Sequence, residues 1–257
     1  MPISEAEVLK ARKRLLQMHF ESGVGHIGGN MSCLDVLLLV QHEYLTLRDR
    51  FVLSKGHSAG ALYIALWSVG RLSDDALKQF HKDDTLLAGH PPASGIADIR
   101  FATGSLGHGL SLAAGTAKAL KIKQQPGHVF CLTSDGEWQE GSTWEALTFA
   151  AHHRLDNLTV LVDHNGLQGF GRTSTVASMS PLTEKIAGFN VDIQRVDGHK
   201  LDQIRVVLDE PTDKCRVVIL DTVKGRGVPF MEDRMEWHYL PLKKEQYAQA
   251  LLDLESQ

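Results

Sequence analysis

The sequence predicts an α/β fold, a parallel sheet with helices on both faces. Short β-rich apolar runs at residues 51–53, 128–133, 158–162, 191–196 and 216–220 alternate with longer stretches whose apolar positions recur at helical spacing. The runs at 128–133 and 158–162 are almost continuously apolar, the pattern of strands buried on both faces rather than on one. No repeat, low-complexity tract or linker interrupts the alternation, so residues 1–257 read as a single domain.

The elements follow in order. Residues 5–20 place Val8, Ala11, Leu15, Leu16 and Met18 at near-helical spacing, with charges between them. Gly23, Gly25, Gly28 and Gly29 are expected to break regular structure and leave His26 on a loop. A helix is expected over 32–44, then strand 51–53, a turn at Lys55-Gly56-His57 and a helix over 59–69. Ser73 is placed to cap a helix running to about His81. Residues 87–106 carry adjacent prolines and several glycines without a clear period, a loop long enough to expect function of it. A small-residue helix over 109–121 precedes strand 128–133, and Ser142-x-x-Glu145 reads as a capping box opening a helix to about His153. Beyond strand 158–162 come a helix near 182–187, strand 191–196, helix 201–208, strand 216–220 and an amphipathic helix over 242–256.

Bulk properties exclude several classes. A net charge of −4 and a pI near 6.3 give no basic excess for nucleic acid or for an acidic membrane surface. The N-terminal segment lacks a signal-peptide core, and the apolar run 36–40 is too short to span a bilayer, so a soluble, cytoplasmic protein is expected. Cys33, Cys131 and Cys215 form no CxxC pair; Cys131 and Cys215 fall in apolar runs, as buried thiols in a reducing compartment would.

The most informative segment is Ser134-Asp135-Gly136-Glu137 at the end of strand 128–133, together with Asp163-His164-Asn165 after the next strand. Ligands of an open parallel sheet bind at the carboxyl ends of its strands, where both segments lie. Asp135 supplies a carboxylate, Asn165 an amide oxygen, and Gly136 lets backbone approach an anion without a Cβ in the way. Hard oxygen donors on neighbouring strand ends suit Mg²⁺, which leaves positions for phosphate oxygens and water. Taken singly, an Asp-Gly after a strand is an ordinary turn; the pair at this separation is the signal.

Together these segments resemble the thiamine diphosphate motif, an acidic Gly-Asp-Gly opening closed by a later Asn. The resemblance extends along the chain to the transketolases. Gly25-His26-Ile27-Gly28-Gly29 resembles that family's first histidine loop, and Leu53-Ser54-Lys55-Gly56-His57 with Ala61-Leu62-Tyr63 its second. Gly89-His90-Pro91 and Thr103-Gly104-Ser105-Leu106-Gly107 resemble the third histidine and the loop under the cofactor ring. Asp135 to Gly141 and Leu155-Asp156-Asn157-Leu158 resemble the metal region, and Thr222-Val223-Lys224-Gly225-Arg226-Gly227 leading to Glu236-Trp237-His238 the last histidine.

Roles are implied by that resemblance. Asp135, Asn165 and the Leu167 carbonyl would hold Mg²⁺. The Gly136 amide, His57 and His238 would contact the diphosphate of thiamine diphosphate, with Glu137 also at the cofactor, and Gly104 and Leu106 would lie along its aminopyrimidine. His26, His57, His90 and His238 would surround the reactive carbon, binding substrate hydroxyls and moving protons, which imidazole does near neutral pH. His42, His81, His128, His152 and His153 read as surface or packing residues. Trp138 and Trp144 read as core or interface residues, and Glu140 resembles the family's acidic residue at the subunit interface.

Two positions depart from the pattern: Ser134 stands where the motif opens with Gly, and Tyr239 follows His238 where a small residue is usual. The first removes no ligand, whereas the second bears on the width of the substrate channel. The resemblance covers only the diphosphate-binding half of a transketolase. The glutamate that activates the aminopyrimidine belongs to the other half and has no counterpart here. The resemblance therefore implies a two-subunit transketolase, moving a two-carbon ketol unit from a ketose phosphate to an aldose. Its C-terminal subunit would be a separate chain carrying the pyrimidine-binding domain, in an α₂β₂ heterotetramer. The α subunit of a 2-oxo acid dehydrogenase is also split and thiamine-dependent, but the histidine set and Trp138-Gln139-Glu140-Gly141 argue against it.

Overall fold

The computed structural model describes residues 2–93 and 95–256. Among these residues seven strands, β1 (Arg50–Leu53), β2 (Val129–Ser134), β3 (Leu158–His164), β4 (Leu167–Gln168), β5 (Gly171–Arg172), β6 (Asp192–Asp197) and β7 (Arg216–Asp221), form two sheets. The main sheet has the order β1-β2-β3-β7-β6 with every neighbouring pair parallel, while β4 and β5 make a small antiparallel hairpin.

The continuous apolarity of β2 and β3 has a direct cause: the sheet separates two cores. Phe130, Leu132, Leu161, Val218 and Leu220 face a core built with α1 (Glu5–Ser22), α2 (Ile27–Leu39) and α3 (Ala59–Ser68). The short α4 (Asp74–Leu77) contributes Leu77 to the same core. Val129, Cys131, Val160, Val162, Val217 and Ile219 face the other, built with α5 (Gly109–Ile122) and α6 (Gly141–His152). After the exposed turn α7 (Thr173–Ala177), α8 (Leu182–Ala187) joins the second core, whereas α9 (Leu201–Asp209) and α10 (Lys244–Glu255) join the first. The edge strand β6 is only half-buried and carries charge at Asp192, Arg195 and Asp197, which discourages pairing with another chain. Cys131 and Cys215 are buried free thiols, as expected, and Cys33 is buried as well. Among the described residues no helix is long and apolar enough to cross a membrane.

All five main strands and most helices fall within a residue or two of their expected positions. Four details differ. The helix expected over 32–44 starts at Ile27, so Gly28 and Gly29 lie in its first turn, and it passes into a π-helical turn over Val40–Tyr44. Gly28 serves close packing rather than a break: a Cβ there would stand 3.0 Å from Lys224 Cγ and 3.1 Å from Trp237 Cβ. Ser73 does cap its helix, accepting from the Ala76 amide, but α4 ends at Leu77, well short of His81. The capping box at Ser142 is absent. The N-cap of α6 is Glu140, and the Ser142 hydroxyl instead donates to the Gly107 carbonyl at 2.9 Å. Ser4 and Glu7 form the reciprocal pair that opens α1.

Candidate active site

The carboxyl ends of β1, β2, β3 and β7 all open on one side of the sheet, and the segments following them meet there. Asp135 follows β2. Its carboxylate accepts from the Gly136 amide at 2.8 Å and from the Gly166 amide, in the loop after β3, at 2.6 Å. In that loop Asn165 Oδ1 accepts from the Leu167 amide at 3.0 Å, and its Nδ2 donates to Asp163 at 3.2 Å. One carboxylate, one amide oxygen and the Leu167 carbonyl are thus gathered in two adjacent turns. Gly136 is tightly covered: a Cβ there would lie 2.9 Å from Gln168 Oε1. Burial, and then the neighbouring Asp163 carboxylate, push the Asp135 carboxyl up to about 6. A bound cation would reverse that and keep it ionised.

Two buried lysines flank this loop. Lys55, after β1, pairs with Asp163 and donates to the Gly29 carbonyl at 3.0 Å. Asp163 also accepts from Ser32 at 2.7 Å and from Thr222. Burial alone would raise the Asp163 carboxyl, but Lys55 and these donors outweigh it and hold it below the usual range. Lys224 differs. Among the described residues no carboxylate pairs with its ammonium, which lies 3.4 Å from the Leu167 carbonyl and 3.1 Å from His238 Nδ1. Burial, and then Lys55, lower it to about 8. A buried cation with neutral partners beside a ring of oxygen donors fits an anionic ligand.

His26, His57, His90 and His238 are brought together. The His26 ring stands 5.7, 6.2 and 5.0 Å from those of His57, His90 and His238, and the rings of His57 and His238 are 5.4 Å apart. His26 holds a left-handed φ of 64° at the N-cap of α2, a conformation uncommon for a residue with a Cβ. Its amide donates to the His238 carbonyl at 3.1 Å. Asn30 ties two of the loops together, its Nδ2 donating to the His26 carbonyl at 2.8 Å and to the His57 carbonyl at 3.3 Å. Burial is the main cause in all four rings, lowering His26 to about 4, His238 to about 3, His57 well below its ordinary value and His90 below it as well. The next contributions are His90 on His26, Lys224 on His238, Lys55 on His57 and His81 on His90. All four are therefore neutral near pH 7, each with one N–H and one lone pair.

Glu137, expected at the cofactor, is fully buried and bonded to protein donors through both oxygens. One accepts from Ser54 and from the Gly107 amide at 3.0 Å, the other from the Ser134 amide at 2.8 Å. It pins the loop carrying Gly104 and Leu106 to the turn after β2, a positioning role. That loop is also tied across β1, Thr103 Oγ1 donating to the Leu53 carbonyl at 2.6 Å. Gly104 lies against His90, at a φ of 154°. Trp138 is fully buried and accepts at its carbonyl from Trp144 Nε1 at 2.7 Å, so both serve packing; Glu140 is exposed at the start of α6. His42 and His128 bond to Ser68 and Thr159, His81 lies against Phe80, and His152 against His153. Sequence reasoning gave no role to Lys55, Asn30, Asp163 or Lys224, although a lysine after a strand and an aspartate ending an apolar run were visible signals.

A family model described as "Transketolase, thiamine diphosphate binding domain" matches residues 19–254. A relative from Phocaeicola vulgatus, named as one of the subunits of an apulose-4-phosphate transketolase, is 35% identical over 262 residues, covering 97% of this chain and 93% of that one. The 6-deoxy-6-sulfo-D-fructose transketolase subunit SqwG of a Clostridium species is 34% identical over 258 residues, covering 96% and 94%. Among solved structures, transketolase from Leishmania mexicana superposes with a TM-score of 0.89 at 23% identity, over 99% of this chain and 42% of that one.

The buried neutral histidines set an acid limit on stability. His19, fully buried, is lowered to about 4 by burial, as is His128. Unfolded, each would take up a proton near pH 6.5; folded, only below about 4, so between these values the unfolded state binds more protons. Stability should be full above about pH 6.5 and fall as pH drops, by about 2 kcal/mol at pH 5 from His19 alone. Urea melts at about pH 7.5 and pH 5 measure this, and equal midpoints would show that these rings are not held neutral.

Proposed function

The chain belongs to the transketolase family, as its thiamine diphosphate-binding domain, and from that premise we propose that it is the diphosphate-binding subunit of a two-subunit transketolase. It would transfer a two-carbon ketol unit from a ketose phosphate to an aldose. Two relatives named as transketolase subunits align with it almost end to end, which supports a separate partner chain. The observation that carries the reading is the meeting of four neutral histidines beside the turns of Asp135 and Asn165 and beside Lys224, whose ammonium pairs with no carboxylate among the described residues.

The residues fit the cofactor. Among the described residues no group of three His, Cys, Asp or Glu could hold a metal unaided. Asp135, Asn165 Oδ1 and the Leu167 carbonyl would supply part of an oxygen shell for Mg²⁺, and diphosphate oxygens the remainder. Lys224, His57, His238 and the Gly136 amide would receive the diphosphate, and the Gly104 and Leu106 backbone the aminopyrimidine. Bound there, thiamine diphosphate supplies the electron sink that lets a C–C bond beside a carbonyl break and re-form.

The chain's own part is proton handling and orientation. Lys224 donates to His238 Nδ1, so the proton of neutral His238 lies on Nε2. A neutral imidazole can accept the proton of a sugar hydroxyl as its C–C bond breaks to leave an aldehyde, and give that proton to the acceptor's aldehyde oxygen as the new C–C bond turns it into a hydroxyl. His26, whose ring faces the other three, and His90, at the exposed edge of the group, would take this role. The aminopyrimidine-activating glutamate would come from the C-terminal subunit in a cytoplasmic α₂β₂ assembly.

Three outcomes are expected. The purified chain alone should show no ketol transfer, and adding its partner should restore it; robust transfer by the lone chain would overturn the split-enzyme reading. In the complex, Asp135→Ala should abolish Mg²⁺-dependent binding of thiamine diphosphate in isothermal titration, and near-normal affinity would remove Asp135 from the metal site. His26→Ala and His90→Ala should leave that affinity within a few-fold but lower kcat by roughly 10²–10⁴, the usual scale of lost proton transfer. A raised KM with unchanged kcat would make them substrate binders only.

A further inference from the structure

Lys224 lies beyond the end of β7, in residues 222–234 that form turns rather than strand or helix. Its side chain is long, and an ammonium aimed into a cleft is only as well placed as the backbone at its root. That backbone has no ladder to hold it, so its polar groups need partners from elsewhere.

Two side chains supply them, one on each flank of Lys224. The Val223 amide donates to His199 Nε2 at 2.9 Å, and the Arg226 carbonyl accepts from Arg12 at 3.0 Å. His199 comes from the turn after β6 and Arg12 from α1. Both meet on one carboxylate, Asp35 in the middle of α2, which is 3% exposed. Arg12 donates to its two oxygens at 2.7 and 2.6 Å, and His199 Nδ1 to Oδ2 at 2.8 Å. With Nε2 accepting from Val223, the imidazole proton lies on Nδ1, directed at Asp35. Between these flanks the Lys224 carbonyl accepts from the Asp233 amide at 3.0 Å, and the Gly225 amide donates to the Gly28 carbonyl at 2.9 Å.

We infer that Asp35 is the positioning centre for Lys224, orienting Arg12 and His199 so that they clamp the Val223 and Arg226 backbone and set the ammonium in the cleft. This rests on the reading of Lys224 as a contact of the diphosphate. The arrangement parallels outer-shell partners that orient a ligand without touching what it binds. Neither Asp35 nor His199 is a catalytic residue; each acts through backbone on Lys224.

The test uses the complex of this chain with its partner subunit, with thiamine diphosphate and Mg²⁺ as the probe. Wild type, His199→Ala and His199→Gln are compared by isothermal titration, by kcat at saturating cofactor, and by amide hydrogen exchange without cofactor. His199→Ala should weaken cofactor binding by about 10- to 100-fold, the usual scale for an outer-shell partner, with kcat at saturation within about threefold. It should also speed exchange at Val223. The carboxamide oxygen of His199→Gln can accept from Val223, so that variant should recover most of the affinity and the slow exchange. Unchanged affinity or unchanged exchange in His199→Ala, or a fall in kcat alone, would overturn the inference. Should the alanine variant fail to fold, a folded glutamine variant as weak as about 10-fold below wild type would overturn it equally. A wild-type complex that does not bind thiamine diphosphate would instead refute the proposed function, so the two failures are distinguishable.

Discussion

The cleft is organised by one buried carboxylate. Asp163, at the end of β3, receives Lys55 from beyond β1, Ser32 from α2, Thr222 from beyond β7 and Asn165 from its own loop. These segments hold the second histidine, the helix that starts at the first, the approach to Lys224 and the Asn165 amide of the loop proposed for the metal. An ion pair this deep gains little net stability, because desolvating both charges offsets much of their attraction, yet losing one partner leaves a charge stranded. Its value here is geometric. By accepting from Asn165 Nδ2, Asp163 settles which way that amide faces and frees Oδ1 for the other side.

The same network decides the charge state of its surroundings. With Lys55 paired to Asp163, Lys224 is left with no carboxylate among the described residues, which suits the anionic ligand proposed for it. Burial, and then Asp163, raise the proton affinity of Asp135, and the cation proposed there would displace that proton. Burial and the two ammonium groups keep the histidines neutral. An imidazole in that state is ready both to accept and to donate, whereas four imidazoliums in so small a volume would repel one another and could only donate.

The architecture was legible because a strand covered on both faces must be apolar on consecutive residues, and β2 and β3 are. The site segments were legible because a sheet of this kind gathers ligands at strand ends, and the chain sets Asp-Gly, Asn and glycine-flanked histidines there. The contacts that align those residues were not. Asp163 meets Ser32, Lys55 and Thr222 across 131, 108 and 59 residues of sequence, and such pairings depend on the strand order β1-β2-β3-β7-β6, which no local period encodes. Ser142 shows the complementary error. A correct local pattern for a helix cap lost to a tertiary acceptor, the Gly107 carbonyl, once the loop beneath the cleft was packed against it. The partners of Glu137 were hidden for a related reason: both its oxygens are taken by Ser54, Gly107 and Ser134, two of them distant in sequence.

Tyr239 changes in meaning once its surroundings are known. As a sequence departure it suggested a narrower substrate channel. In the fold its ring packs against His238, centroids 4.8 Å apart, and its hydroxyl donates to the Gly169 carbonyl at 2.9 Å. Gly169 makes room for it: a Cβ there would lie 2.4 Å from the tyrosine oxygen and 3.3 Å from His238 Nε2. A phenol ring therefore stands beside that histidine and reaches back to the β4–β5 hairpin, which meets it with backbone where a side chain would not fit. Tyr239 as a whole is 53% exposed, so this pairing sits at the surface of the site. Large residue and small residue answer each other beside His238, and the tyrosine ring packs on the histidine it follows.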